Sequence, residues 1–169
     1  MIEWDKVLLD ALWSSFAALG FAVLFNLPRK SLWAAGLLGA IGHTVRHLVM
    51  HYHWGDIVVG TLVAAFTISI IGMLIAHHTD SPSLIFSFCA LIPMVPGLFA
   101  YQALISLISI VTTEKKISDI LAQIALASSN GLKAMFVFFC LSFGVAIPIL
   151  GLREIGYFTK KKYHRRYFK

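Results

Sequence analysis

The chain has 169 residues, 59% of them hydrophobic and 13% charged, with a mean hydropathy of +0.81. That excludes an ordinary soluble domain, and unbroken apolar blocks of about 20 residues exclude a β-barrel, whose spans alternate over about ten. The net charge of +6 does not imply nucleic acid, because much of it lies in the closing run KKKYHRRYFK, directly after an apolar block. Basic residues there mark the cytoplasmic side of a membrane and touch anionic lipid. The expected fold is all-α, one polytopic membrane helical bundle of about five transmembrane helices.

The first span is expected over 7–27. The opening MIEWDK has neither a basic leader nor a small-residue cleavage site, so this span should stay in the mature protein. Asp10 either sits at the outer interface or pairs with Arg46 or a histidine across the bundle. Asn26 and Leu27 should end the helix, because the residue before Pro28 resists helical geometry.

The second span, 32–50, carries most of the polar residues. Gly36, Gly39 and Gly42 form a small-residue stripe that lets another helix approach closely, which places this helix inside the bundle. His43 and His47 share a face, with Arg46 one residue round the helix and His51 a turn further on. A charged arginine at membrane depth costs about 2.5–3.5 kcal/mol on insertion scales. Arg46 therefore needs a partner, an aqueous cavity or a substrate anion, unless it snorkels to the nearby outer interface. Histidines at this spacing also suggest a metal- or haem-binding anchor subunit of a redox complex. Against that, no Cys, Asp or Glu shares the ligand spacing, and Arg46 would repel a cation. Anion binding or proton handling fits better, since histidine titrates near neutral pH, so no metal and no cofactor are expected.

The third span, 57–76, is uniformly apolar. The fourth, 84–111, is interrupted at its centre by Ile92-Pro93-Met94-Val95-Pro96-Gly97. Each proline removes an amide donor and clashes with the carbonyl four residues back, and glycine adds no preference for helix. In lipid such backbone survives where it is buried in protein or lines a water-filled cavity. Discontinuous helices of this kind build transporter sites, the second half-helix offering free amides and a positive dipole end to a carboxylate. Here that end begins near Gly97, with Tyr101 and Gln102 one turn on as hydrogen-bonding side chains. A plain proline kink is the alternative, and a re-entrant loop would change the span count.

The link that follows is polar, but Ile117, Ile120, Leu121, Ile124 and Leu126 fall at near-helical spacing and predict a short amphipathic helix on the interface. The fifth span is expected over 132–152, with Lys133 interfacial. Cys89 and Cys140 lie in apolar blocks and read as packing residues. With five spans and a cytoplasmic tail, nine basic residues fall inside (Arg29, Lys30, Arg153, Lys160, Lys161, Lys162, Arg165, Arg166, Lys169) against three outside (Lys6, Lys115, Lys116), which places the N-terminus outside and the C-terminus in the cytoplasm. No nucleophile motif or phosphate loop appears, so an enzyme is not expected.

The run FAVLFNLPRKSLWAAGLLGAIGHTVRHLVM and the later LIPMVPGLFAYQALISL resemble the threonine/serine exporter family of bacterial inner-membrane proteins. The similarity rests on the Gly-His-x-x-Arg element at Gly42, His43 and Arg46 and the Pro-Met-x-Pro-Gly-x-x-x-Tyr element at Pro93, Met94, Pro96, Gly97 and Tyr101, within residues 15 to 110. The chain looks like the short subunit of the two-subunit form, counterpart of the C-terminal half of the fused exporters. The resemblance implies secondary transport: export of small carboxylate solutes, threonine and serine or a dicarboxylate such as succinate, driven by the proton motive force. It also implies a longer membrane subunit of the same family as partner, with self-association as the alternative. Arg46, His43, Pro93, Pro96, Gly97, Tyr101 and Gln102 are then the expected substrate-binding residues, with Asp10 and His47 as proton or charge partners. A purely structural transporter subunit is the remaining alternative.

Overall fold

A computed structural model describes residues 4–52, 56–79, 82–112 and 117–154, and of 77–79 and 152–154 the backbone alone. The basic tail beyond 154, the Arg153 side chain, Lys115, Lys116 and His53 lie outside the described residues. Regular structure among the described residues is entirely helical: α1 (Trp4–Leu24), α2 (Leu32–His51), α3 (Ile57–Thr79), α4 (Ser83–Leu91), α5 (Gly97–Thr112) and α6 (Ile117–Glu154), with short 3₁₀ turns at Arg29–Ser31 and Ile92–Met94.

By length and composition α1, α3 and α6 can each cross a bilayer, and α4 with α5 gives a fourth if the bent pair is counted as one span. The 20 residues of α2 are also enough to cross, but Arg46, His43, His47 and His51 lower its hydropathy. Counted with the others, it makes the expected five. Large apolar side chains point outward all round the molecule, including Leu8, Trp13 and Phe16 on α1 and Leu98, Leu104 and Ile108 on α5. An aqueous surface does not carry apolar area on that scale; lipid does.

The first helix ends where Pro28 dictates. Asn26 adopts a left-handed backbone (φ 55°), the Leu27 amide donates to the Ala22 carbonyl (2.9 Å) and the Asn26 amide to the Val23 carbonyl (2.9 Å). This is a Schellman cap, with asparagine at the position that usually takes glycine and a contact between core residues Leu27 and Ala22.

The central helix is α2, packed against α1, α3 and α4. Its glycines serve different neighbours. A Cβ on Gly39 would lie 2.7 Å from the Ala18 Cβ and 3.0 Å from the Ser14 carbonyl oxygen, and one on Gly36 would meet Leu19 and Ser15, so these two seat α1. Gly42 faces Ile68 of α3 and the Met94 side chain, 2.7 Å from its would-be Cβ. The stripe is thus a packing device, shared between α1 and the interrupted span. The core behind it consists of Ala34, Ala35, Leu38, Ile68, Phe86, Cys89 and Met94. Both cysteines are free, Cys89 buried and Cys140 half-buried.

The chain leaves helix at Val95 and Pro96 and bends by 48° between α4 and α5. A bend of that size deflects the path without reversing it.

One boundary differs from expectation. The amphipathic 117–126 segment is not a separate helix: it runs on into the last span as α6, unbroken for 38 residues. Ser128, Ser129, Asn130 and Gly131 favour helix only weakly, but α5 packs along this stretch, with Ala103 against Gly131 and the Lys133 ammonium 5.9 Å from the centre of the Phe99 ring. Tertiary packing overrides local propensity there. At 1.5 Å per residue α6 is about 57 Å long, well beyond the roughly 30 Å of a hydrocarbon core.

Candidate functional site

Three ionisable side chains meet at the α1–α2 crossing. His43 projects from the middle of α2 toward α1 and is 5% exposed. Its Nδ1 lies 3.3 Å from Asp10 Oδ2 and 3.3 Å from Arg46 Nη2, which reaches back one turn along α2. The His43 Nε2 is buried and has no hydrogen-bond partner among the described residues. Asp10 keeps 45% of its side chain exposed, so the cluster has a closed end at the histidine and an open end at the carboxylate.

Neighbouring small residues make room for it. The Ser14 hydroxyl donates to the Asp10 carbonyl oxygen (2.6 Å) and is itself buried against α2. Gly60, in the first turn of α3, lies under Arg46: a Cβ there would stand 3.4 Å from the Arg46 Cγ and 3.3 Å from its carbonyl oxygen. Gly60 and Ser14 were not among the expected residues. A small residue in the first turn of the next span was the available signal, but it names no partner.

Of the expected residues, Asp10, His43 and Arg46 are brought together. His47 is half-buried one turn on, and His51 is exposed at the helix end. The three α2 histidines therefore lie in three different environments, and among the described residues no three His, Cys, Asp or Glu side chains gather as a cation site.

The break packs near this cluster, its 92–94 turn against α1 and Met94 against α2. Met94 packs on Gly42, the residue before His43, and Pro96 is buried, while Pro93 is half-buried. The Val95 amide donates to the Ile92 carbonyl (3.0 Å), and the first turn of α5 is closed by the Ala100 amide donating to Pro96 (3.1 Å). The Leu98 and Phe99 amides precede that bond, so they have no carbonyl within the helix. Gly97 is exposed with no atom within 4 Å of its would-be Cβ, and Tyr101 (60%) and Gln102 are exposed on the same half-helix. The amide end, Tyr101 and Gln102 thus look out of this chain, whereas Arg46 and His43 look in.

A groove of ≈ 530 Å³ runs between α4 and α6, lined by Leu84, Phe88, Leu91, Phe138, Leu141 and further apolar residues. It contains none of Asp10, His43 and Arg46, and its lining suits hydrocarbon.

An interrupted membrane helix packed beside an ion cluster within a helical bundle defines the chain as a polytopic membrane protein of the solute-transporter class. The profile of the threonine/serine exporter family, ThrE, matches residues 10–150, and the chain belongs to that family. The match reaches beyond the motif-bearing 15–110 to take in Asp10 and most of α6. A Haemophilus influenzae (strain Rd) protein described only as uncharacterized is 34% identical over 143 residues, 85% of this chain and 46% of that protein. The chain spans about half the length of this relative. No solved structure matches it.

Proposed function

We propose that the chain is the short subunit of a bacterial inner-membrane exporter of small carboxylate solutes, threonine and serine or a dicarboxylate such as succinate, driven by the proton motive force. Family membership supports the transporter class. The observation that carries the site is Arg46. Its one hydrogen bond among the described residues goes to His43, which leaves most of its five donors for a carboxylate. The Leu98 and Phe99 amides at the start of α5 offer a second anion-binding device, the positive end of a half-helix.

These two devices face different ways, which supports a site completed by a second chain. A relative twice as long supports a longer membrane subunit of the same family in that place; Tyr101 and Gln102, exposed on α5, would then meet it. For topology, the 48° deflection supports a fourth span that crosses the bilayer, and with the nine-to-three bias of basic residues this supports an N-terminus outside and a C-terminus in the cytoplasm. The basic tail then rests on anionic lipid.

The test is efflux of threonine, serine and succinate from cells producing this chain with its genomic neighbour. Arg46→Ala and Pro96→Ala should each lower efflux at least about tenfold, a loss of about 1.4 kcal/mol of solute recognition, while membrane insertion stays normal. Wild-type efflux in both variants sinks the site.

A further inference from the structure

The bend in the interrupted span opens a gap along one side of α6. Beyond the break α5 packs along α6, whereas α4 turns away by 48° to lie on α1, α2 and α3, and the groove of ≈ 530 Å³ lies between α4 and α6. Phe99 beside Lys133 and Ala103 beside Gly131 make α5 antiparallel to α6, and α4 keeps that sense. The groove therefore runs from Leu84 and Leu150, near the ends of the two helices, to Val95 and Phe138 at the break. From Phe138 to Leu150 α6 rises about 18 Å, close to the roughly 15 Å of half a hydrocarbon core. The groove is one leaflet deep.

Its walls ask for no polar partner. The Ser142 hydroxyl donates to the Phe138 carbonyl (2.9 Å), and the Ile92 and Val95 carbonyls accept from the Val95 (3.0 Å) and Gly97 (2.8 Å) amides. A spanning helix of another chain would need a seat through both leaflets, and past the break α5 closes that path; an acyl chain needs one leaflet. The sequence at the groove's mouth is basic. The Phe88 ring in its wall meets Phe25 edge-on (centroids 6.0 Å), and the exposed Arg29 and Lys30 follow Phe25 in the chain. Beyond Leu150 the sequence adds seven lysines and arginines against one acid, Glu154, and the link before α4 adds Asp80.

We propose that one anionic phospholipid binds here, an acyl chain lying in the α4–α6 groove with its tip against the break and its headgroup among the basic residues at the mouth. This rests on the reading of the basic tail as a contact with anionic lipid, and it gives that lipid a fixed seat. Ile92 and Val95 belong to both the groove and the break, so the bound chain touches the bent backbone directly.

The experiment is native mass spectrometry of the full chain, taken into detergent from nanodiscs of equal parts phosphatidylglycerol and phosphatidylcholine. Wild type should keep one phospholipid, favouring phosphatidylglycerol by about fivefold for each lysine or arginine that reaches the headgroup. Ala146→Phe and, separately, Ser142→Leu fill the groove and should lose the lipid while unfolding in lipid-free micelles as wild type does. Leu104→Phe, on the exposed face of α5, should keep it. Lys160→Gln, Lys161→Gln and Lys162→Gln together should leave a lipid bound but remove most of the preference. Lipid retained in both groove variants, or none in wild type, overturns the proposal. So does an assembly with a second copy or a longer subunit that both groove variants break apart at unchanged lipid retention, since a protein then fills the groove. Equal retention of the two lipids by wild type overturns the anionic headgroup and the tail's part in it, and loss in the groove variants then still separates that failure from a failure of the groove.

Discussion

The α1–α2 and α5–α6 pairs are both antiparallel helix pairs in the same apolar chain, and they are held in opposite ways. At the first crossing a Cβ on Gly39 would collide with the Ala18 side chain and the Ser14 backbone; at the second, a Cβ on Gly131 would rest 4.0 Å from the Ala103 Cβ, an ordinary contact. The tight crossing hides polar atoms, Ser14 and His43, while the looser pair turns Val111 (86% exposed) and Ile117 (77%) outward. Lipid provides no hydrophobic drive to bring helices together, so close approach through small residues does that work. Where backbones come closest, a charged cluster can be kept away from hydrocarbon.

Substitutions at the glycines separate the two regimes. The largest effect is expected for Gly39→Leu, whose side chain must displace backbone as well as Ala18. It should cost about 3 kcal/mol or more and strip folded protein from the membrane, read by denaturant unfolding in micelles. Folding as stable as wild type would show that the crossing is not close. Gly131→Ala should do the opposite, adding about 0.5–1 kcal/mol in the same assay, because alanine favours helix interiors and the contact is open. A loss there would mean α5 and α6 sit closer than described. The smallest change in stability, within about 0.5 kcal/mol, is expected for Gly97→Ala, at an exposed position with empty space around it. Its efflux should nevertheless fall if a solute or partner approaches the half-helix end; unchanged efflux would remove that end from the site.

Much of this was legible in the sequence, and the gaps have physical causes. Apolar runs mark the spans because hydrocarbon sets their length, and Pro93 with Pro96 marks the break because a missing amide donor is a local fact. Asn26 before Leu27-Pro28 announces the end of α1 for the same reason. His43 and Arg46 could be paired from spacing alone, being one turn apart on a helix. Asp10 could not be assigned between interface and cluster, since its partner lies on another helix, 33 positions along the chain. Nor does spacing say which way a half-helix faces, so the exposure of Tyr101 and Gln102 awaited the structure. The start of α6 was missed because Ser128 to Gly131 look like a turn, and only the packing of α5 keeps them helical.

The tight turn at Asn26 also bears on how the chain enters the bilayer during synthesis. An arginine on a lone helix meets the full insertion penalty of about 2.5–3.5 kcal/mol. Asp10 and Arg46 flank a single short reversal, so a hairpin of α1 and α2 brings the opposite charges together as soon as both helices are made, before any later helix exists. The left-handed asparagine sets the direction in which α2 returns, and with it whether those charges enter lipid as a neutral pair or one at a time.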